Sequence, residues 1–155
     1  MDETNNAIPS SGQFCLEQAD IVIDSIDYSN NAVSGQSSTV FINLSNIGGS
    51  HAPSFTARLL LSLDAQSGTD DTQVDSFRVD PLTSGSSANI IRNIIIPSQH
   101  IGDFHWVVIV DTLSEVEEDD ESNNAAASTS FTISAPAIDL LATGVESPLS
   151  AEPGQ

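Results

Sequence analysis

Seven carboxylates lie within 11 residues, between positions 111 and 121, and this acidic segment is the strongest chemical signal in the sequence. Crowding these charges without lysine beside them costs repulsion that salt screens only in part. A hard cation such as Ca²⁺ relieves this repulsion, because it takes about six to eight oxygen ligands. The segment therefore predicts a Ca²⁺ site, and the candidate ligands are Asp111, Glu118, Asp119, Asp120, Glu121 and Asn123.

The acidic segment is also compatible with a solvated loop between two strands, which is the ordinary role of an acidic run. Its spacing does not follow the order of an EF-hand loop. Asn124 is an alternative to Asn123 as the source of a side-chain carbonyl. A second acidic loop, with Asp64, Asp70 and Asp71, is either another weak cation site or a plain turn, and we favour the turn.

The residues of common catalytic and zinc sites form no recognisable set in this sequence. The single cysteine, Cys15, cannot close an internal disulfide, and no histidine is placed to activate it. His51, His100 and His105 fall on two predicted loops and one strand, so a zinc site is not expected. No G-x-S-x-G turn or phosphate-binding glycine loop occurs, and carboxylates bunched on loops do not suit glycoside hydrolysis. We expect that the protein is not an enzyme.

The charge balance excludes two classes of partner. The chain has 22 acidic residues, three arginines and no lysine, for a net charge of −19. Nucleic acids and anionic membrane surfaces attract lysine and arginine, so neither is an expected partner. No apolar run reaches the length of about 18 residues that a membrane-spanning helix needs, so no membrane insertion is expected.

Short alternating runs separated by turn residues must position the acidic segment. The predicted strands are residues 20–28, 39–46, 55–63, 74–79, 88–97, 104–111 and 123–133. In the sixth strand, Phe104, Trp106 and Val108 share one face, and we expect Trp106 to lie in the core. In the last strand, Ala127, Thr129 and Phe131 are in phase. The sequence therefore predicts an all-β immunoglobulin- or fibronectin-III-like β-sandwich of about seven strands.

One hexapeptide occurs twice in nearly the same form. "DETNNA" at residues 2–7 and "DESNNA" at residues 120–125 are 118 positions apart. The stretches that follow also correspond, since Asp20 opens "DIVIDSIDYSNNAVSGQ" and Asp139 opens "DLLATGVESPLSAEPGQ". Self-similarity at this period indicates an array with one domain per repeat. We expect the end of a preceding repeat and a linker in residues 1–18, a complete domain in 19–134, and a linker with the first strand of the next repeat in 135–155.

These features, in this order, resemble the bacterial cell-adhesion-related domain family, CARDB. The similar segments are "DIVIDSIDYSNNAVSGQ", "VFINLSNIG", "LSLD", "NIIIP" and residues 102–124. Arg92 departs from the pattern, because it stands where an inward apolar residue is expected. A β-bulge there would return Ile91 and Ile95 to the core. The resemblance implies an immunoglobulin-like sandwich in secreted or surface-anchored bacterial proteins, often in tandem, and it implies no catalytic residue.

We therefore expect a non-catalytic extracellular or cell-surface module that acts as a spacer or adhesion domain. In a sandwich of this order, the acidic segment lies at the same end as the "IGGSHAP" loop and the start of the domain, where Ca²⁺ would stiffen the joint to the preceding repeat. Expected partners are the neighbouring repeats and an extracellular protein or polysaccharide, and the isolated chain is expected to be a monomer. The alternative is an ancillary carbohydrate-binding domain of a secreted hydrolase, which would need exposed aromatic side chains.

Overall fold

The computed structural model describes residues 17–29 and 31–137. These residues contain no helix that could cross a membrane. They form eight β-strands: β1 (Ile21–Tyr28), β2 (Ser37–Asn46), β3 (Phe55–Ser62), β4 (Thr72–Val79), β5 (Ser87–Ile95), β6 (Gly102–Ile109), β7 (Ala125–Ala127) and β8 (Phe131–Ile133).

The strands form two antiparallel sheets that pack face to face. The first sheet has three strands in the order β1-β2-β5. The second has the order β4-β3-β6-β7, and β8 also pairs with β6. The all-β sandwich predicted from the alternation of apolar residues is confirmed.

Apolar side chains from both sheets meet in one core. Val40, Ile42 and Leu44 on β2 are fully buried. Trp106 on β6 is also fully buried, and its ring stacks on that of Phe131 with the centroids 5.2 Å apart. The predicted core position of Trp106 is confirmed, and the stacked pair contributes about 0.5–1.5 kcal/mol beyond the burial of its area.

The predicted last strand, residues 123–133, is wrong in one respect, because the structure divides it into two. β7 pairs with the end of β6, and β8 pairs with its beginning. Between them Ser128 is buried, and its Oγ accepts a hydrogen bond from Trp106 N at 3.0 Å. This side-chain bond interrupts the ladder and shifts the alternation, so Thr129 is exposed instead of lying in phase with Phe131.

Arg92 lies at the edge of the first sheet without a bulge, because β5 pairs with β2 in continuous register. Its Nε donates to Asp75 Oδ2 of β4 at 2.6 Å, and its guanidinium lies 4.8 Å from the centre of the Phe77 ring. Ile91 and Ile95 are 55% and 65% exposed. The predicted bulge is therefore wrong, and an ion pair with a cation–π contact bridges the two sheets at this edge.

The start of β1 and the end of β8 lie at opposite ends of the sandwich. Ala19, just before β1, forms a parallel bridge with Glu118 in the β6–β7 connection, residues 110–124, which we call the acidic loop. Ser134, just after β8, forms a parallel bridge with Val33 in the β1–β2 connection. Because β1 runs from one end of the sandwich to the other, these two bridges are about one strand length apart.

Candidate metal centre

Local hydrogen bonds shape the acidic loop. Val110 N donates to Asn124 O at 2.9 Å and joins the two ends of the loop. Asp111 has a φ of +42°, a left-handed conformation that Asp adopts more readily than most residues. Its carboxylate accepts hydrogen bonds from Glu115 N at 2.8 Å and Val116 N at 3.0 Å. The backbone of the loop therefore holds the Asp111 carboxylate in a defined position.

Three carboxylates converge within this loop. One oxygen each of Asp111, Glu118 and Glu121 lies within 4.8 Å of the other two. Asp111 and Glu118 are 6% and 7% exposed, whereas Glu121 is exposed. Ionised carboxylates lose hydration when they are buried, and like charges at this separation repel one another. We call these three residues the carboxylate cluster.

The arginines do not compensate the carboxylate cluster. Arg78 pairs with Glu115, and Arg92 pairs with Asp75. Arg58 is exposed on β3 and forms no ion pair within the described part of the chain. The cluster therefore has the negative potential that attracts a cation.

Burial raises the pKa of Glu118 above its ordinary value, and repulsion from Glu121 and Asp111 adds to this rise. Two hydrogen bonds to the Glu118 carboxylate act in the opposite direction, one from Ile21 N at 2.6 Å and one from Asn124 Nδ2 at 2.8 Å. A cation bound beside Glu118 would act in the same direction as these bonds, since a positive charge favours the ionised carboxylate.

Asn124 adds an amide group to the carboxylate cluster. Its Nδ2 donates to Glu118 Oε2 at 2.8 Å and to Glu121 Oε2 at 3.1 Å. Its Oδ1 is buried and has no hydrogen-bond partner among the described residues. Turning the amide over would exchange these two atoms and present an oxygen to the cluster. Asn124, which the sequence offered only as an alternative, is thus the asparagine that contacts the cluster.

Asn123, the asparagine predicted as a ligand, faces the start of β1 instead. Its Nδ2 donates to Asp20 Oδ1 at 2.7 Å. Asp119 and Asp120 are exposed and lie outside the cluster. Asp120 Oδ1 accepts hydrogen bonds from Ser122 Oγ at 2.6 Å and Ser122 N at 2.8 Å, which lower the pKa of Asp120. The structure thus brings together Asp111, Glu118 and Glu121, but not the other three predicted ligands.

The second acidic loop, between β3 and β4, folds as a turn at the other end of the sandwich. Asp64 Oδ1 accepts a hydrogen bond from Gln66 N at 2.9 Å. Asp71 Oδ2 accepts one from Gly68 N at 2.7 Å. Aspartate side chains commonly bond to backbone amides in turns in this way. These bonds account for both aspartates without a cation.

The donor atoms of the cluster fit a hard divalent cation. They are carboxylate oxygens, with the amide oxygen of Asn124 as a further donor, and no histidine or cysteine belongs to the group. Oxygen-only ligand sets suit Ca²⁺ or Mg²⁺, whereas zinc prefers nitrogen and sulfur. A bound cation would supply positive charge to the buried carboxylates, and water would complete its coordination.

The chain is similar to one protein family and to several solved structures. The CARDB family model matches residues 18–128. The CARDB domain of a Pyrococcus furiosus protein, crystallised in complex with di-metal ions, is 22% identical with a TM-score of 0.57, over 77% of this chain and 94% of that chain. A solution structure of that domain gives 18% identity and a TM-score of 0.56, over 77% and 97% of the two chains.

A β-glucosidase 3B from Thermotoga neapolitana, in complex with α-D-glucose, is 12% identical with a TM-score of 0.52. This likeness covers 75% of the present chain but 16% of the glucosidase chain. At such low identities the structural likenesses show the fold alone. None of the curated proteins matches the chain. The family model spans β1 to β7 and most of the sequence, and the chain therefore belongs to the CARDB family.

Proposed function

We propose that this chain is a non-catalytic module of a secreted or surface-anchored bacterial repeat protein, in which it acts as a spacer or adhesion domain. The observation that carries the proposal is the position of the two parallel bridges, Ala19 with Glu118 and Ser134 with Val33, at opposite ends of the sandwich. A domain whose chain enters at one end and leaves at the other adds its whole length to an array of repeats. Its nearest partners are the repeats before and after it.

The flanking repeats remain predictions, because residues 1–16 and 138–155 lie outside the described residues. Small-angle X-ray scattering on chains with one, two and three repeats tests the spacer role. The ten residues of β2 span about 34 Å at roughly 3.4 Å per residue, so each added repeat should lengthen the particle by at least about 34 Å. A maximum dimension that stays constant as repeats are added would contradict a spacer.

The proposed module also binds Ca²⁺ at the carboxylate cluster, with Asn124 as an additional oxygen donor, and the cation stiffens the joint to the preceding repeat. Support comes from the convergence of three carboxylates within 4.8 Å and from the burial of two of them without a compensating arginine. The Pyrococcus furiosus CARDB domain with di-metal ions supports metal binding without identifying the metal for this chain.

Calorimetric titration of the full chain with CaCl₂ tests the cation site. Glu121→Gln removes one ligand charge at an exposed position and is expected to weaken binding at least about tenfold, because Ca²⁺ affinity follows the number of ligand charges. Asp119→Asn is the matched control, since it makes the same charge change in the same loop outside the cluster. Equal weakening by both substitutions would indicate diffuse attraction, and an absence of heat in the wild type would refute the site.

A carbohydrate-binding role in a secreted hydrolase is the second proposal. It requires an exposed aromatic platform, but Phe55, Phe77, Phe104, Trp106 and Phe131 are all buried. The likeness to a β-glucosidase concerns the fold alone and does not strengthen this proposal. Co-sedimentation with insoluble cellulose and chitin would detect such binding.

A further inference from the structure

We infer that cation binding at the carboxylate cluster is thermodynamically linked to the docking of the leading segment, residues 17–21, against the acidic loop. The inference rests on the proposed cation site and adds its regulation: the bound cation holds the first residues of the domain in place. Glu118 contacts both the leading segment and the rest of the carboxylate cluster.

The carboxyl group of Glu118 contacts the leading segment and the cluster at once. Its Oε1 accepts a hydrogen bond from Ile21 N at 2.6 Å. Its Oε2 accepts one from Asn124 Nδ2, which also donates to Glu121. Ile21 is fully buried, so its amide has no access to water as a substitute acceptor. Movement of Glu118 away from Ile21 would therefore leave a buried backbone donor without a partner.

Two further contacts join the leading segment to the acidic loop. Asp119 N donates to Ala19 O at 2.8 Å, next to the parallel bridge of Ala19 with Glu118. Asn123 Nδ2 donates to Asp20 Oδ1 at 2.7 Å. Backbone and side-chain bonds thus bind the same short segment to the loop that carries the carboxylate cluster.

The connection between β2 and β3 contacts the opposite side of the leading segment. This connection carries no cluster of charged residues. Ile47 N donates to Asp20 O at 2.8 Å, and Ser50 N donates to Gln18 O at 3.1 Å. A Cβ on Gly48 would clash with Gln18 O, so the two backbones pack closely. Repulsion among carboxylates therefore acts on the acidic-loop side alone, and this is the side that a cation stabilises.

The linkage has a measurable size. If the leading segment undocks together with Glu118, the undocked state lacks one ligand of the cation. Ca²⁺ then binds the docked state preferentially, and the ratio of the two dissociation constants limits its effect on the undocked population. If the loss of one ligand charge weakens binding about tenfold, undocking becomes about ten times rarer at a free Ca²⁺ concentration of about one hundred times Kd, and it becomes about one hundred times rarer if the undocked state binds no Ca²⁺.

Amide hydrogen exchange by NMR on the full chain, in CaCl₂ and in EDTA, measures this change. The amides of Ile21 and Asp119 report on docking, and that of Ser134, which donates to Ala32 O at the other end of the sandwich, reports on local opening far from the cluster. We expect exchange at Ile21 and Asp119 to slow by at least about tenfold at one hundred times Kd, with a much smaller effect at Ser134. Uniform slowing at all three amides would overturn the inference, because it would mean that these amides exchange only through unfolding of the whole domain.

Two variants complete the test. Glu121→Gln removes a cluster ligand that does not contact the leading segment, and it is expected to need at least about tenfold more free Ca²⁺ for the same slowing of exchange at Ile21. Asp119→Asn retains its backbone donor and is expected to behave as the wild type. Calorimetric binding of Ca²⁺ with unchanged exchange at Ile21 would refute the linkage and leave the cation site intact. Absence of binding heat would refute the site, and the linkage with it.

Discussion

Asp111 is the side chain on which both the shape of the acidic loop and the proposed cation site depend. Asp111→Ala removes the acceptor of Glu115 N and Val116 N and leaves a non-glycine residue at a φ of +42°. A buried amide left without an acceptor costs about 1–3 kcal/mol, and the left-handed conformation costs alanine about 1–2 kcal/mol. Relief of repulsion with the other two carboxylates offsets part of this. We expect a net loss of about 3 kcal/mol in EDTA.

Two further substitutions at Asp111 separate these contributions. Asp111→Gly loses the same hydrogen bonds but adopts a positive φ freely, so it should be about 1 kcal/mol more stable than the alanine variant. Asp111→Asn keeps one acceptor and tolerates the left-handed conformation, so its loss should be about 1–2 kcal/mol. The expected order of stability in EDTA is wild type, Asn, Gly and Ala.

Urea unfolding followed by the fluorescence of Trp106, the single tryptophan in the chain, measures these free energies. At a free Ca²⁺ concentration of about one hundred times Kd, the wild type should gain about 2.7 kcal/mol. The three Asp111 variants lack a ligand charge and should gain much less. An alanine variant within about 0.5 kcal/mol of the wild type in EDTA would refute the account of the loop. Equal gains from Ca²⁺ in all four proteins would refute the role of Asp111 in the site.

Three other predictions follow from the packing and the ion pairs. Phe131→Ala should lower the unfolding free energy by about 3–5 kcal/mol in urea, because its ring is buried against the tryptophan, and a loss below about 1 kcal/mol would mean that β8 is not part of the core. Ile94→Ala should cost about 2–4 kcal/mol and Ile95→Ala less than about 0.5 kcal/mol, since these residues are 4% and 65% exposed, and equal costs would favour the bulge. The hydrogen bond from Arg78 lowers the pKa of Glu115 below 4.5, so this contact stabilises the fold above that pH and its contribution is lost as the pH falls through the lowered value. An NMR titration should show the pKa of Glu115 rising toward its ordinary value in Arg78→Gln, while the hydrogen bond from Thr56 N keeps part of the lowering, and an unchanged titration would contradict the contact with Arg78.

The strands and most of the core followed from the alternation of apolar and polar residues. Val40, Ile42 and Leu44 are buried as this pattern requires, because successive side chains of a strand point to opposite faces. The pattern failed where a polar side chain bonds to another strand. Ser128 accepts from Trp106 N, and Arg92 reaches Asp75 across the sandwich. Neither partner can be identified from local spacing.

The sequence predicted which types of residue form the candidate site, but not which individual residues do so. The density of carboxylates located the loop, and the pair of asparagines at its end was a usable signal for an amide ligand. The structure selects Asn124 over Asn123, because Asn123 bonds to Asp20. It also leaves Asp120 in a local turn with Ser122. Neighbours in the sequence therefore have different roles within one loop.

The sequence by itself determined the two-layer β fold, the excess of negative charge and the loop in which that charge is concentrated. Periodicity and composition are local properties, and they suffice for these conclusions. The tertiary structure alone decided which carboxylates meet. Glu118 is positioned by the amide of Ile21, 97 residues away in the chain, and Asp111 by a left-handed backbone turn. Contacts at such separation form only when the two sheets pack, so no pattern of spacing within the acidic loop could have specified them.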